Sequence, residues 1–424
     1  MKLYKILSLI LFFSLINCNS SITNNEDYST YIQTKPNFDQ SFASVDFWTN
    51  KLNKNPNQYP YLVKRASAYT KLFNQKGEIS YLIKAEKDLA NANIVTKEKN
   101  VGYLRSLASN YISQHRFKEA LDLLNKAKSI GDELLSTRKM LFDTHMELGN
   151  YIEAEAYLKD IKNPSDFDYR IRLAKWEDHQ GNLEGAVVQM EEAMKIAESS
   201  NLKSLKQWSY TNIADFYGHA GKIEKSYNYY LKALELDPND AYAKKGIAWI
   251  LYSYENKPDE ALAILNHVSD YYSAPDYNLL VADIASYTGD METKNRKLTD
   301  YQNAVRNNAY GAMYNKYNVL VYTEELLLPE LAVEIAKEEV QNRPTPESYD
   351  LLAWSYFQMG NQQKAKQIID AYVIGKTSEP DVLYHIAEIQ KANGELESVK
   401  SIKPELLASL YELGPTMKQK IRNL

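Results

Sequence analysis

The chain has 424 residues, of which 44% are hydrophobic and 25% are charged, and its formal net charge is −5. These fractions are close to the averages for folded proteins and exclude a chain that is disordered throughout. A net negative charge gives no general attraction for phosphate groups, so we expect no nucleic-acid partner. The composition includes 34 tyrosines but only 15 glycines and 13 prolines, which favours a helical protein with aromatic contacts between its helices.

The first 17 residues have the pattern of an export signal. Lys2 and Lys5 form a basic start, and residues 6–16 form an apolar run that only Ser8 and Ser14 interrupt. A membrane span takes about 20 residues, so this run is too short to cross a bilayer. We therefore predict a cleavable signal peptide over residues 1–17.

Cys18 follows this run and is the only cysteine of the chain. The sequence Leu15-Ile16-Asn17-Cys18 resembles the bacterial lipobox, although Asn17 stands where that motif usually has Gly, Ala or Ser. The resemblance implies that Cys18 is acylated and anchors the chain to the bacterial envelope, with the outer membrane expected and the facing side left open. The alternative is cleavage elsewhere, which leaves a free thiol. Residues 18–40 are polar and are predicted to form a flexible tether.

A helical-hairpin pattern is clearest between Ile213 and Pro238. Small residues stand where two antiparallel helices would cross, Gly221 would turn the chain between the helices, and Pro238 would end the second one. The spacing resembles the tetratricopeptide repeat, whose characteristic positions are matched by Ala214, Tyr217, Ser226, Tyr230, Ala233 and Pro238. Ser226 is the one departure, because the family usually has Ala there.

The same frame recurs along most of the chain at roughly the family's ~34-residue period. The residues at the second-helix crossing are Ala85, Ala120, Ala154, Ala186, Ser226, Ala261, Lys294, Ala332, Ala365 and Val399. The resemblance implies an all-α fold, a right-handed superhelical solenoid of about ten hairpins over residues 41–403. Residues 404–424 are predicted to be a polar capping helix. A break of the stack near Ser199 is left open.

No pattern of catalytic residues stands out. The six histidines lie in separate repeats without the spacing of a metal site, and the chain has neither a glycine-rich phosphate loop nor a nucleophile motif. We therefore predict no metal, no cofactor and no catalytic activity. An enzyme with an unrecognised site remains a third alternative.

In tetratricopeptide proteins the first helix of every hairpin lines a concave groove, and this frame gives the candidate binding residues. Those in the N-terminal half are polar: Arg105, Lys139, Lys175, His179, Asp215 and His219. Those in the C-terminal half are mostly aromatic: Trp249, Tyr252, Asp283, Tyr287, Trp354, Phe357 and Tyr384. For the two tryptophans, burial in the core is an open alternative to exposure in the groove.

Two functions fit this architecture. The preferred hypothesis is a lipid-anchored scaffold or adaptor that binds a protein or peptide in its groove. The alternative is carbohydrate capture, because glycan-binding lipoproteins of starch-utilisation systems also carry tetratricopeptide-like helices and aromatic rings stack on sugars. Those lipoproteins are longer and have a large irregular lobe, whereas repeats fill this chain.

Overall fold

The structure, a computed structural model, describes residues 21–424. The predicted signal peptide and the predicted acylation site Cys18 lie outside the described residues. Residues 21–424 contain no β-strand, and none of their helices is long and apolar enough to span a bilayer.

Two helices, α1 (Asn25–Gln33) and α2 (Asp39–Lys54), precede ten antiparallel hairpins. The hairpins pair α3 (Pro60–Lys76) with α4 (Ile79–Val95), α5 (Val101–Ser113) with α6 (Phe117–Ile130), α7 (Leu134–Glu147) with α8 (Tyr151–Asp160), α9 (Phe167–His179) with α10 (Leu183–Ser200), α11 (Lys203–His219) with α12 (Ile223–Leu236), α13 (Ala241–Trp249) with α14 (Pro258–Ser269), α15 (Asp276–Thr288) with α16 (Met291–Val305), α17 (Asn315–Leu320) with α18 (Pro329–Asn342), α19 (Pro346–Gln358) with α20 (Gln362–Tyr372), and α21 (Pro380–Ala392) with α22 (Leu396–Ala408). α13 and α17 each continue into a π-helical turn, Ile250–Tyr254 and Val321–Glu325. The chain ends in α23 (Leu410–Leu413) and α24 (Met417–Arg422).

The predicted solenoid is confirmed, and small residues account for its packing. Each predicted crossing residue lies in the second helix of a different hairpin. Ala120, Ala154 and Ala186 are completely buried, as a tight helix crossing requires. Lys294, which is not a small residue, stays partly exposed to solvent, and its ammonium group pairs with Glu325 at 2.7 Å. A spacing of small residues therefore sets where the two helices of a hairpin meet.

The stack is continuous past Ser199. Val187 and Met190 of α10 share a core cluster with Ile213 and Tyr217 of α11. The two helices pack along their lengths, so the structure has no domain break at this point.

Hairpins distant in sequence touch because the superhelix winds back on itself. The turn of the first hairpin meets the loop between the sixth and seventh hairpins, where the Ser273 amide donates to the Lys76 carbonyl oxygen at 2.8 Å. The turn of the third hairpin meets the loop between the eighth and ninth, where a Cβ on Gly149 would lie 3.0 Å from the Pro344 carbonyl oxygen. Successive superhelical turns are thus in contact and enclose an interior.

The predicted flexible tether is wrong for its described part. Asn24 caps α1 by accepting a hydrogen bond from the Glu26 amide, and Tyr28 is buried against α12 and α14. The Tyr28 hydroxyl donates to Glu260 at 2.5 Å. The polar composition of this segment concealed a helix that obtains its apolar contacts from hairpins far along the chain.

The predicted capping helix over 404–424 is also wrong. Pro404 lies inside α22, which runs on to Ala408. After it the chain folds into α23 and α24, separated at Gly414, whose φ of +81° interrupts the helix. Leu406 and Ile421 are fully buried, so this region belongs to the fold and returns towards the interior.

Candidate functional site

The interior contains a cavity of ≈ 400 Å³ between α11 and α21. Most of its walls come from first helices of hairpins, the side that the repeat frame assigns to the inner surface. The lining includes Asp215, His219, Trp249, Glu379, Asp381 and Tyr384. A second cavity of ≈ 500 Å³ adjoins it and is lined in part by Lys175, His179 and His219.

Carboxylates dominate the charge of the first cavity. Asp381 pairs with Lys316 at 2.8 Å, and Asp215 accepts a hydrogen bond from the Tyr242 hydroxyl at 2.8 Å. Within residues 21–424 the Glu379 carboxylate has no ion-pair or hydrogen-bond partner. The Glu379 side chain is solvent-exposed at the cavity wall, but partial burial by surrounding protein atoms and the nearby charge of Asp381 raise its pKa to about 7. The cavity therefore holds an acidic group that a bound cation would stabilise.

A buried pair supports one wall. The His385 Nδ1 lies 2.7 Å from the Asp350 carboxylate, and the His385 ring stacks on Trp354 with centroids 4.0 Å apart. Burial opposes protonation of His385, but the Asp350 charge outweighs it and raises the pKa of His385. This contact fastens α21 to α19 and fixes the position of the cavity wall.

The C-terminal segment, residues 409–417, crosses the interior and covers Trp249. The Trp249 Nε1 donates to the Tyr411 carbonyl oxygen at 3.0 Å. A Cβ on Gly414 would lie 3.2 Å from the Trp249 ring. The Glu412 carboxylate is 2.6 Å from the His219 Nδ1. Part of the inner surface is thus already occupied by the chain itself.

Comparisons with known proteins agree with this architecture. A family model described as tetratricopeptide repeat matches residues 209–240 and 346–373. The chain contains tetratricopeptide repeats. The first match covers most of α11 and all of α12, and the second covers α19 and α20, so each corresponds to one complete hairpin of the structure apart from the start of α11.

Several solved tetratricopeptide and helical-repeat structures are similar to this chain. Human IFIT1, in a dimer with PPP-AAAA, is 13% identical over 77% of this chain and 76% of its own, with a TM-score of 0.47. Yeast Tom70 is 12% identical over 94% and 93% of the two chains, with a TM-score of 0.37. A tetratricopeptide repeat protein from Parabacteroides merdae ATCC 43184 is 14% identical over 62% and 97%, with a TM-score of 0.35. No curated protein matches the sequence.

Most of the predicted polar groove residues of the tetratricopeptide frame contact a neighbouring hairpin, either the following or the preceding one. Lys139 binds Asp166 at 2.7 Å and Asp168 at 2.9 Å, and Lys175 binds Glu147 at 2.7 Å. Arg105 pairs with Glu133. The His179 ring lies 4.0 Å from that of Tyr151. These side chains hold neighbouring hairpins together and are less available to a ligand than predicted.

The predicted aromatic platform is largely core. Tyr252 is 0% exposed and donates to Asp283 at 2.8 Å, and Trp354 is 4% exposed. Phe357 stacks on Trp354 at 5.3 Å, and Tyr384 is buried beside them. Of this group, Tyr287 is exposed.

Tyr252 is buried among the other predicted groove residues. Its hydroxyl donates to Asp283 at 2.8 Å, and its ring packs edge to face against Trp249 and Tyr287, with centroids 5.8 and 5.6 Å apart. Trp354 is buried for a different reason, because His385 of the next hairpin stacks on its ring. Tyr252 and Trp354 are therefore corrected from groove to core.

The structure brings together four of the predicted residues, Asp215, His219, Trp249 and Tyr384, around one cavity. The acidic residues that sequence reasoning missed there are Glu324, Glu379, Asp381 and Glu412. Glu379 and Asp381 flank Pro380 at the start of α21, a position outside the groove frame. Described residues form no group of three or more His, Cys, Asp or Glu suited to a metal ion.

Proposed function

We propose that this chain is a scaffold that binds a positively charged segment of a partner protein on its inner surface, and that acylated Cys18 holds it at a bacterial envelope membrane. The repeat architecture supports the protein-binding role. The observation that carries the proposal is the acidic and aromatic cavity between α11 and α21.

The cavity has the chemistry that receives a lysine or arginine side chain. Glu379, which has no partner among residues 21–424, offers a carboxylate to a cation. Trp249 and Tyr384 line the same space, and aromatic faces attract cations held within about 6 Å of the ring centre. A volume of ≈ 400 Å³ is small for a folded domain, so the occupant is a side chain or a short segment.

The alternatives receive less support. The carboxylates of the cavity would repel nucleic-acid phosphates. Carbohydrate capture depended on open tryptophan faces, but Trp354 is buried and the C-terminal segment covers Trp249. The absence of catalytic activity remains a prediction.

A membrane anchor at Cys18 would hold the scaffold close to the bilayer. Ser21 already bonds to the body, donating to Glu255 at 2.8 Å. The chain from Cys18 to Ser21 spans at most roughly 11 Å when fully extended, so an acyl chain on Cys18 would keep the scaffold within that distance of the bilayer surface. Radiolabelled fatty acid should enter the wild-type chain and not Cys18→Ser, and equal labelling of the two would exclude acylation at Cys18.

Site-specific photo-cross-linking in cells tests the binding surface. A photoreactive residue in place of exposed Ser378, which precedes Glu379 and lines the adjoining second cavity, should form a cross-link to a partner protein, whereas one in place of Ile152, which is 84% exposed on the second helix α8, should not. Cross-linking from Ile152 alone would place partner binding on the outer surface and contradict the proposal.

A further inference from the structure

The C-terminal segment, residues 409–417, has the contacts of a bound peptide. It lies outside the ten hairpins and reaches from α22 to the inner faces of α11 and α13. Its backbone is held by two donors on the receptor surface: Trp249 Nε1 and Ser253 Oγ both bond to the Tyr411 carbonyl oxygen, at 3.0 and 2.7 Å. Thr416 adds a hydrogen bond to Asp283 at 3.3 Å.

The side chains of the segment meet a matching surface. The Tyr411 ring lies over Gly218, where an added Cβ would come within 2.9 Å of the ring. The next residue, Glu412, contacts His219 at 2.6 Å. The surface therefore recognises an aromatic residue followed by a carboxylate in one short stretch of chain.

These contacts suit a segment that can leave. The receptor-side contacts of Tyr411 and Glu412 are the partly buried Tyr411 ring, hydrogen bonds and one partly exposed charge pair, the His219 side chain being 50% exposed. Leu410 and Leu413 pack on a separate cluster that joins Leu406 and Ile421 to Trp354 and Tyr384 of the last two hairpins. Release of Tyr411 and Glu412 from α11 and α13 would leave that cluster in place.

We propose that residues 409–417 are an internal occupant of a peptide-binding site, and that a partner segment carrying tyrosine followed by an acidic residue binds the same surface by displacing it. This inference rests on the proposed function and names a second element of recognition beside the acidic cavity. The partner would present the Tyr-Glu pair to Gly218, His219 and Trp249 and a neighbouring basic side chain to Glu379.

Peptide binding to the full-length chain tests the inference. The probe is a fluorescent peptide that copies residues 408–418, and the receptor is the variant Tyr411→Ala/Glu412→Ala, whose own segment has lost both recognition side chains. By fluorescence anisotropy the variant should bind the peptide, and the wild type should bind about tenfold or more weakly, as a site closed in nine of ten molecules requires.

Two controls assign the binding to this surface. Adding Gly218→Ala to the variant should weaken binding about tenfold, because the new Cβ occupies the place of the tyrosine ring. A peptide with the Tyr and Glu replaced by Ala should bind the variant about tenfold more weakly or worse. Equal binding of both peptides would overturn the proposal.

The remaining outcomes are also decisive. No binding to the variant, or lost helicity of the variant by circular dichroism, would show that the segment is structural and overturn the inference. If the wild type forms a dimer in which the two copies exchange this segment, the site is occupied by a second copy of the chain, and the inference is overturned as well. If the peptide fails while a photoreactive residue at position 378 still cross-links to a partner, the proposed function stands without this inference.

Discussion

The two ends of the described chain pack on the same hairpins from opposite sides. α1 lies against α12 and α14, which are second helices, and the C-terminal segment lies against α11 and α13, which are first helices. Tyr28 of α1 is 2% exposed, whereas Tyr411 of the C-terminal segment keeps part of its surface. One end completes the core, and the other occupies a surface.

Electrostatics separate the two ends in the same way. Glu255 accepts hydrogen bonds from the Thr23 amide at 2.8 Å and the Thr23 hydroxyl at 2.6 Å. Although burial opposes ionisation, these bonds and Lys257 lower the pKa of Glu255 to about 2, so the attachment of α1 persists at all ordinary pH. The contacts of the C-terminal segment include the pair of His219 with Glu412, in which the pKa of His219 is raised to about 8. We therefore expect the N-terminal contact to be insensitive to pH and the C-terminal contact to weaken as the pH rises.

Removing the core contact of α1 should have the largest effect on stability. Tyr28→Ala should lower the free energy of unfolding by about 3 kcal/mol, because it deletes a buried aromatic ring. Tyr254→Ala is the matched control, since that side chain is 51% exposed, and it should change stability by less than about 0.5 kcal/mol. Denaturant unfolding followed by circular dichroism measures both. Equal effects would mean that α1 is not part of the core.

The contact between superhelical turns should give the next largest effect. Gly77 and Gly221 have φ values of +67° and +68°, so alanine strains both backbones about equally. A Cβ on Gly77 would come within 2.7 Å of the Ala274 amide nitrogen, whereas one on Gly221 has nothing within 4 Å. Gly77→Ala should therefore cost about 1 to 3 kcal/mol more than Gly221→Ala. Identical melting temperatures would contradict contact between the turns.

Local features of the fold could be predicted from the sequence. The hairpins follow from alanines and glycines whose spacing records contacts within about 35 residues, so one chain shows them repeatedly. α1 could not be predicted, because Tyr28 reaches Glu260 across most of the chain. The two turns of the superhelix meet through backbone at Gly77 and Ala274, and such contacts leave little trace in composition.

The candidate site was predicted in part, for a similar reason. Asp215, His219 and Trp249 were found because they belong to the repeat frame. Glu379 was missed because it precedes α21, outside the repeat positions that line the groove. The winding of the superhelix brings it to the cavity beside α11. The burial of Tyr252 was missed because the frame gives the face on which a side chain lies and does not show that Trp249, Asp283 and Tyr287 close over it.

The pH dependence of the C-terminal segment should be a smaller effect. Burial opposes protonation of His219, but the hydrogen bond to Glu412 and the charges of Glu412, Asp215 and Asp178 outweigh it and raise its pKa to about 8. Since the pKa is raised in the closed state, the His219 contact stabilises closure fully below the ordinary histidine pKa of ~6.5 and is lost as the pH rises through 8. Binding of the 408–418 peptide to the variant Tyr411→Ala/Glu412→Ala, where the peptide supplies the glutamate that meets His219, should therefore weaken between pH 6 and pH 9.

The variant His219→Gln supplies the control for this titration. Glutamine keeps a hydrogen-bond donor but carries no charge, so peptide binding should vary little with pH through this range. A flat profile for the variant Tyr411→Ala/Glu412→Ala, or one that adding His219→Gln leaves unchanged, would remove His219 from the contact.

Hydrogen exchange measured by mass spectrometry tests the contrast between the two ends most directly. After correction for intrinsic rates, amides of α1 should be protected to the same degree at pH 6 and pH 9. Amides of residues 409–417 should be less protected than α1 at pH 6 and should lose further protection at pH 9. Equal, pH-independent protection of the two segments would contradict the account, because the C-terminal segment would then be as much a part of the core as α1.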